Sequence, residues 1–132
     1  FCNFEQDIIS AKDKIVIASP NIIEEKINRI LELTKTLLEK NVKITIVTSM
    51  PDSLMFGNSE VCYELIYKLR NSGIHVVEKD DFYECYAVID NDIVWHGGIN
   101  LLGKEDIFNN LIRIKDNKIA EELLEITFGN IK

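Results

Sequence analysis

Residues Tyr83 to Asn100 read Y-E-C-Y-A-V-I-D-N-D-I-V-W-H-G-G-I-N. Four apolar residues, Tyr86-Ala87-Val88-Ile89, run into a carboxylate at Asp90, a pattern that predicts a short buried strand. Asn91-Asp92 supplies turn chemistry, and a second apolar run, Ile93-Val94-Trp95, closes on Gly97-Gly98 and Asn100. Two such runs joined by so short a polar link predict an antiparallel hairpin with its polar groups gathered at one end.

Upstream, strand and helix periodicities alternate. Phe4, Ile8 and Ala11, beside Ile9, predict a short helix over residues 4–12, and Ile15-Val16-Ile17-Ala18 predicts a strand covered on both faces. Ser19-Pro20-Asn21 breaks that run, with Ser or Asn suited to cap the next helix and Pro to its first turn. The helix carries Ile23, Ile27, Ile30, Thr34, Leu37 and Leu38 on one stripe, to about Lys40. Val42, Ile44 and Ile46 then alternate with Lys43 and Thr45 as a second strand. Strand, long helix, strand is a βαβ unit, which calls for parallel neighbours and a right-handed crossover.

A loop-like stretch, 48–58, leads to a second helix from about Ser59, with Val61, Leu65 and Leu69 inward and Gly73 at its end. Ile74 to Val77 reads as the third strand, and Lys79-Asp80-Asp81 as a charged loop into the hairpin. Beyond the hairpin, 101–106 is connecting structure, and Leu111-Ile112-Arg113-Ile114 is one more strand. Asp116 is placed to cap a final helix in which Ile119, Leu123 and Ile126 face inward until Gly129. The fold class is therefore α/β: a mixed β-sheet flanked by helices on both faces.

With 132 residues, no internal repeat and no low-complexity linker, residues 1–132 are read as a single domain. The chain opens at Phe1, which suggests a domain excised from a longer chain. No apolar run has the length of a membrane span or signal peptide, so no membrane partner is expected. Cys2, Cys62 and Cys85 are odd in number and lack C-x-x-C spacing, which argues for a reducing, cytoplasmic setting and against structural zinc. The net charge of -7 opposes a broad electrostatic grip on nucleic acid.

The spacing of the hairpin resembles the phospholipase D-like family, whose signature is His-x-Lys, four residues, Asp, six residues, Gly-Ser-x-Asn. Laid on this chain, Asp90, Gly97 and Asn100 match, whereas Tyr83, Cys85 and Gly98 stand at the positions of the family His, Lys and Ser. The resemblance extends over nearly the whole chain, from the Ser-Pro step after the first strand to the closing Arg-Ile and Ile-Ala-x-x-Leu. It is similar in its C-terminal half to the phospholipase D-like domains appended to bacterial DNA helicases and related DNA-processing proteins. In that family the His attacks phosphorus, a second motif's His protonates the leaving group, and Lys, Asn and Ser hold the phosphate oxygens. The resemblance implies one half-site per chain, completed by a homodimer, with no cofactor and no metal.

The chemistry makes the departures costly. A phenol at Tyr83 stays protonated at neutral pH, a thiol at Cys85 supplies no cation, and Gly98 has no hydroxyl. The site is thus expected to be vestigial: Asp90 and Asn100 either keep an inherited role or serve turn and loop hydrogen bonding. His96 is either a substitute nucleophile or a strand-end imidazole on the face opposite Trp95. His75 reads as a packed or hydrogen-bonded residue, Trp95 as core filler rather than a stacking platform, and Arg113 as a cation that binds an anion or pairs with Asp90, Glu105 or Asp106. The expected function is an accessory, nucleic-acid-associated or dimerisation module of a DNA-processing protein, with the rest of a longer parent chain, such as a helicase, as partner. The alternatives are a metal-independent phosphodiesterase or nuclease using non-standard residues such as His96, and a small-molecule or regulatory α/β module that shares only the βαβ core.

Overall fold

The computed structural model describes residues 2–19, 22–49, 59–79, 86–96 and 112–128. Its elements are α1 (Cys2–Ile9), β1 (Lys14–Ala18), α2 (Glu24–Glu39), β2 (Lys43–Ser49), α3 (Ser59–Asn71), β3 (His75–Lys79), β4 (Tyr86–Ile89), β5 (Ile93–His96), β6 (Ile112–Lys115) and α4 (Asn117–Phe128). The six strands form one sheet in the order β3-β2-β1-β4-β5-β6. β1, β2 and β3 are parallel, as the βαβ reading requires, and β4, β5 and β6 continue antiparallel from β1. The mixed sheet and the adjacent antiparallel hairpin are both as the sequence predicts.

Alternate strand residues feed two cores, because successive side chains point to opposite faces. Ile15, Ile17, Ile44, Ile46, Val76, Ala87, Ile89 and Trp95 pack with Ile8, Ile27, Ile30, Leu37, Leu65 and Leu69 from α1, α2 and α3. Val16, Ala18, Val47, Tyr86, Val88 and Val94 pack on the other face against Ala120, Ile119, Leu123 and Leu124 of α4. Helices therefore cover both faces.

Both long helices end in the same way. The Val42 amide donates to the Leu37 carbonyl at 3.0 Å and the Asn41 amide to that of Leu38 at 3.1 Å, with Asn41 at φ 66. After α3 the Ile74 amide donates to Leu69 and that of Gly73 to Arg70, both at 3.1 Å, with Gly73 at φ 100. These are paired closures around a left-handed residue, which satisfy the orphan carbonyls and aim the chain into β2 and β3. α4 begins as expected: Asp116 Oδ1 accepts the Lys118 amide at 2.8 Å and the Ile119 amide at 3.3 Å.

Some expectations shift. α2 starts at Glu24, with Ile23 at the N-cap and no side-chain cap, and Pro20 and Asn21 of the expected cap lie outside the described residues; Glu24 and Glu25 in the first turn face the positive end of the helix dipole. On α3 the inward residues are Leu65, Ile66 and Leu69, while Val61 is exposed. Lys79 closes β3 rather than opening a loop, and His75, at the start of that strand, is exposed rather than packed.

Candidate functional site

The strand registers align Val77, Val47, Ala18, Tyr86, His96 and Ile112 in one row across the sheet. The row marks one rim. Beyond it the chain leaves β2 after Ser49, leaves β3 after Lys79 and returns at Tyr86, and leaves β5 after His96 and returns at Ile112. The stretches between, 50–58, 80–85 and 97–111, all begin or end at this rim. Tyr83, Cys85, Gly97, Gly98 and Asn100 lie outside the described residues.

His96 ends β5 at the rim, exposed, and shares the α4 face of the sheet with its lateral partner Tyr86. Tyr86 is fully buried there, and its phenol donates to the Leu123 carbonyl at 3.2 Å. Among the described residues no hydrogen bond or ion pair orients the His96 imidazole. Trp95 points to the opposite face, 8% exposed.

Asp90 lies at the other end of the hairpin. The turn is built one residue earlier than Asn91-Asp92: Asp90 and Asn91 both take φ 55, and the Asp92 amide closes onto the Ile89 carbonyl at 3.1 Å. The Asp90 carboxylate accepts the backbone amides of Lys12 (3.0 Å), Asp13 (2.8 Å) and Lys14 (3.0 Å), and its own amide donates to the Lys14 carbonyl at 2.8 Å. It thereby fixes the chain as it enters β1. At about 3.4 Å per residue, the four residues from Tyr86 set Asp90 roughly 14 Å from the His96 rim. The polar groups of the hairpin thus divide between its two ends, and Asp90 and His96 do not meet.

A cluster that the sequence did not suggest sits on the α1 face. Asp7 of α1 accepts the Trp95 indole Nε1–H at 2.6 Å and Arg113 Nε–H at 2.7 Å through Oδ2, and an Arg113 terminal N–H at 3.1 Å through Oδ1. Burial pushes the Asp7 carboxyl up, but the Arg113 and Trp95 hydrogen bonds and the Arg113 charge outweigh it and hold the group below the usual aspartate range. Arg113 therefore pairs with Asp7, not with Asp90. Nearby, Glu5 takes a two-pronged contact from Arg29 of α2, Nε–H at 3.0 Å and a terminal N–H at 2.8 Å. Two guanidinium pairs and the buried Ile8 dock α1. On α3, burial pushes the Cys62 thiol up, which leaves it a poor nucleophile. Among the described residues no group of three or more His, Cys, Asp or Glu side chains is placed to hold a metal ion.

A family model described as the PLD-like domain of cardiolipin synthase matches residues 4–128. The chain belongs to the phospholipase D-like family. Its fold is that of the phospholipase D family member Nuc from Salmonella typhimurium, with a TM-score of 0.74 at 20% identity over 96% of this chain and 83% of that one. NucT from Helicobacter pylori gives 0.68 at 16% identity, covering 96% and 84%. TrmBL2, an archaeal chromatin protein with a described mode of DNA binding, gives 0.62 at 16% identity, and there the match spans 96% of this chain but 46% of the other. No curated protein sequence matches. Among the described residues no helix is long and apolar enough to cross a membrane.

Proposed function

We propose that this phospholipase D-like domain has lost phosphodiester chemistry and serves as an accessory, nucleic-acid-associated or dimerisation module of a DNA-processing protein, without cofactor or metal. The observation that carries the reading is the isolation of His96. It is the one histidine at the motif rim among the described residues, and neither Asp90 nor any other described group orients it. A phosphorylatable imidazole needs a held tautomer and a cationic clamp on the phosphoryl oxygens. The family positions for nucleophile, cation and hydroxyl hold Tyr83, Cys85 and Gly98. Charge points the same way: the stretches 50–58, 80–85 and 97–111 carry Asp52, Asp80, Asp81, Glu84, Glu105 and Asp106 against Lys104 alone. That balance of charge in the sequence disfavours binding a phosphodiester.

The module reading draws support from the relatives. The same fold forms under half of the DNA-binding chromatin protein TrmBL2 and about a quarter of a polyphosphate kinase from Porphyromonas gingivalis, so it recurs as one part of longer chains. A parent chain such as a helicase fits that use, and a second copy meeting through the motif rims fits the family's paired half-sites.

The exposure of His96 favours one rival, a metal-independent phosphodiesterase with His96 as nucleophile. Incubating the purified chain with an activated aryl phosphodiester, with and without EDTA, separates the two. The non-catalytic reading expects no turnover above buffer for the wild type. Slow, EDTA-resistant turnover that disappears in His96→Asn overturns it.

A further inference from the structure

Successive side chains of a strand point to opposite faces of the sheet, so Lys14 shares the α4 face with Val16 and Ala18. The registers set Lys14 beside Lys43, and Val16 beside Thr45, which in turn lies beside His75. Lys14, Lys43, Thr45 and His75 therefore stand together on one face, at the starts of β1, β2 and β3, the end of the sheet away from the motif rim. With strands about 4.8 Å apart and a rise of about 3.3 Å per residue, the Lys43 backbone lies roughly 5 Å from that of Lys14 and 8 Å from that of His75. Lys43 and His75 are exposed, Lys14 and Thr45 half-buried. The apolar cluster under α4 takes in Val16, Val47 and the half-buried Val77 but none of these four. Among the described residues α4 is the one helix on this face, whereas α1, α2 and α3 cover the other.

Like charges on directly neighbouring strand residues repel, so setting Lys14 against Lys43 gives nothing to folding. Neither lysine is paired: among the described residues no carboxylate bridges to them, and no side-chain hydrogen bond engages them or His75. The Asp90 carboxylate beside Lys14 is turned into the amides of Lys12, Asp13 and Lys14, and Glu78 of β3 faces the other side with Val76, where it pairs with Arg70. We propose that this face docks a short acidic segment of a partner protein, its carboxylates meeting Lys14 and Lys43 and relieving their repulsion. The surroundings select that class of partner. The chain carries a net charge of -7, and α4, on the same face, exposes Glu121, Glu122 and Glu125. A nucleic-acid strand carries its charge past so small a patch into that acidic field, whereas a segment with a few carboxylates meets the lysines alone. The four positions also offer no Phe, Tyr or Trp ring to stack a base and no Arg fork to grip a phosphate. The patch sits at the opposite end of the strands from His96, so the inference stands whether or not the rim is catalytic.

Amide correlation spectra of the isotopically labelled full chain, titrated with a short oligo-glutamate peptide, read both the affinity and the place. Lys43 to Thr45 and His75 to Val77 are expected to shift and to saturate with a Kd between about 50 µM and 1 mM at low salt. The shifts should shrink as ionic strength rises from about 0.01 M to 0.15 M, because the Debye length falls from about 30 Å to 8 Å. Lys43→Glu should weaken binding about five- to tenfold and Lys43→Gln about two- to threefold, both with an unchanged circular dichroism spectrum, since the side chain is exposed. Lys35→Glu, on α2 across the sheet, should bind as the wild type does. The absence of saturable shifts at about 5 mM peptide, shifts centred on another surface, or affinity unchanged in both Lys43 variants overturns the proposal. So does an oligothymidylate that moves the same amides at lower concentration than the peptide, which would assign the face to nucleic acid.

Discussion

Replacing Asp7 by Asn tests how α1 is held, with a reporter already in place. Trp95 is the single tryptophan of the chain, and its indole N–H donates to the carboxylate that the substitution neutralises. Hydrogen bonds to charged groups contribute about 1.5–3 kcal/mol when the partners are buried. The Trp95 bond qualifies, whereas Arg113 is 44% exposed and its contact is discounted for solvent screening to about 0–1 kcal/mol. Asn also turns an amide towards a guanidinium that has no acceptor to offer it. The expected loss at neutral pH is about 2–3 kcal/mol, which shifts the urea midpoint by roughly 1–2 M for a domain of this size. The pH dependence has a definite sign. The folded-state Asp7 carboxyl is held below its ordinary value, near 3.9, so its contribution is complete above that value and vanishes as pH falls through the folded one. Wild type and Asp7→Asn, followed by Trp95 emission in urea, should differ most at neutral pH and converge in strong acid. Equal midpoints at pH 7, or a gap that persists undiminished at pH 2, would refute the reasoning.

Two further substitutions address the frame. Asp90→Ala removes the acceptor for three backbone amides at the entrance to β1 and should cost about 1–3 kcal/mol in urea unfolding; a change under about 0.5 kcal/mol, the scatter of ordinary surface substitutions, would count against its structural role. Gly73→Ala places a Cβ in ordinary contact, 3.9 Å from Leu38 Cδ2, but at φ 100, so backbone strain alone should destabilise by about 1–2 kcal/mol; a stabilised variant would contradict that account.

Most of the fold was legible because burial writes a period into the sequence. Ile27, Ile30, Thr34 and Leu37 lie on one helical stripe, and Ile15 to Ala18 is apolar throughout because helices cover both faces of β1. What was not legible depended on backbone geometry or on distance along the chain. Ser19-Pro20-Asn21 has capping chemistry, but α2 starts later, at a residue with no capping side chain. The turn residues were read one position late because two successive left-handed residues, Asp90 and Asn91, leave no mark beyond their permissive identities. Arg113 stood out as a cation within an apolar strand, yet its partner, Asp7, is more than a hundred positions away. An ion pair across such a separation has no local signature, and the carboxylates nearer in sequence drew the assignment instead.

The position of Asp90 also changes what its presence in the motif can mean. Strand β4 separates the signature into a rim half, where the family His and Lys positions fall immediately before Tyr86, and a far half that consists of Asp90. The far half works through the amides of Lys12, Asp13 and Lys14, and that work is needed by any chain that docks β1 beside β4, whether or not it turns over a phosphodiester. On the proposed loss of catalysis the His, Lys and Ser positions of the signature would be free to change but Asp90 would not, since its loss would loosen a central strand of the sheet. It follows that matching Asp90 to the signature argues for the fold alone, and that only groups at the rim, His96 foremost among the described residues, bear on whether the domain acts on phosphodiesters.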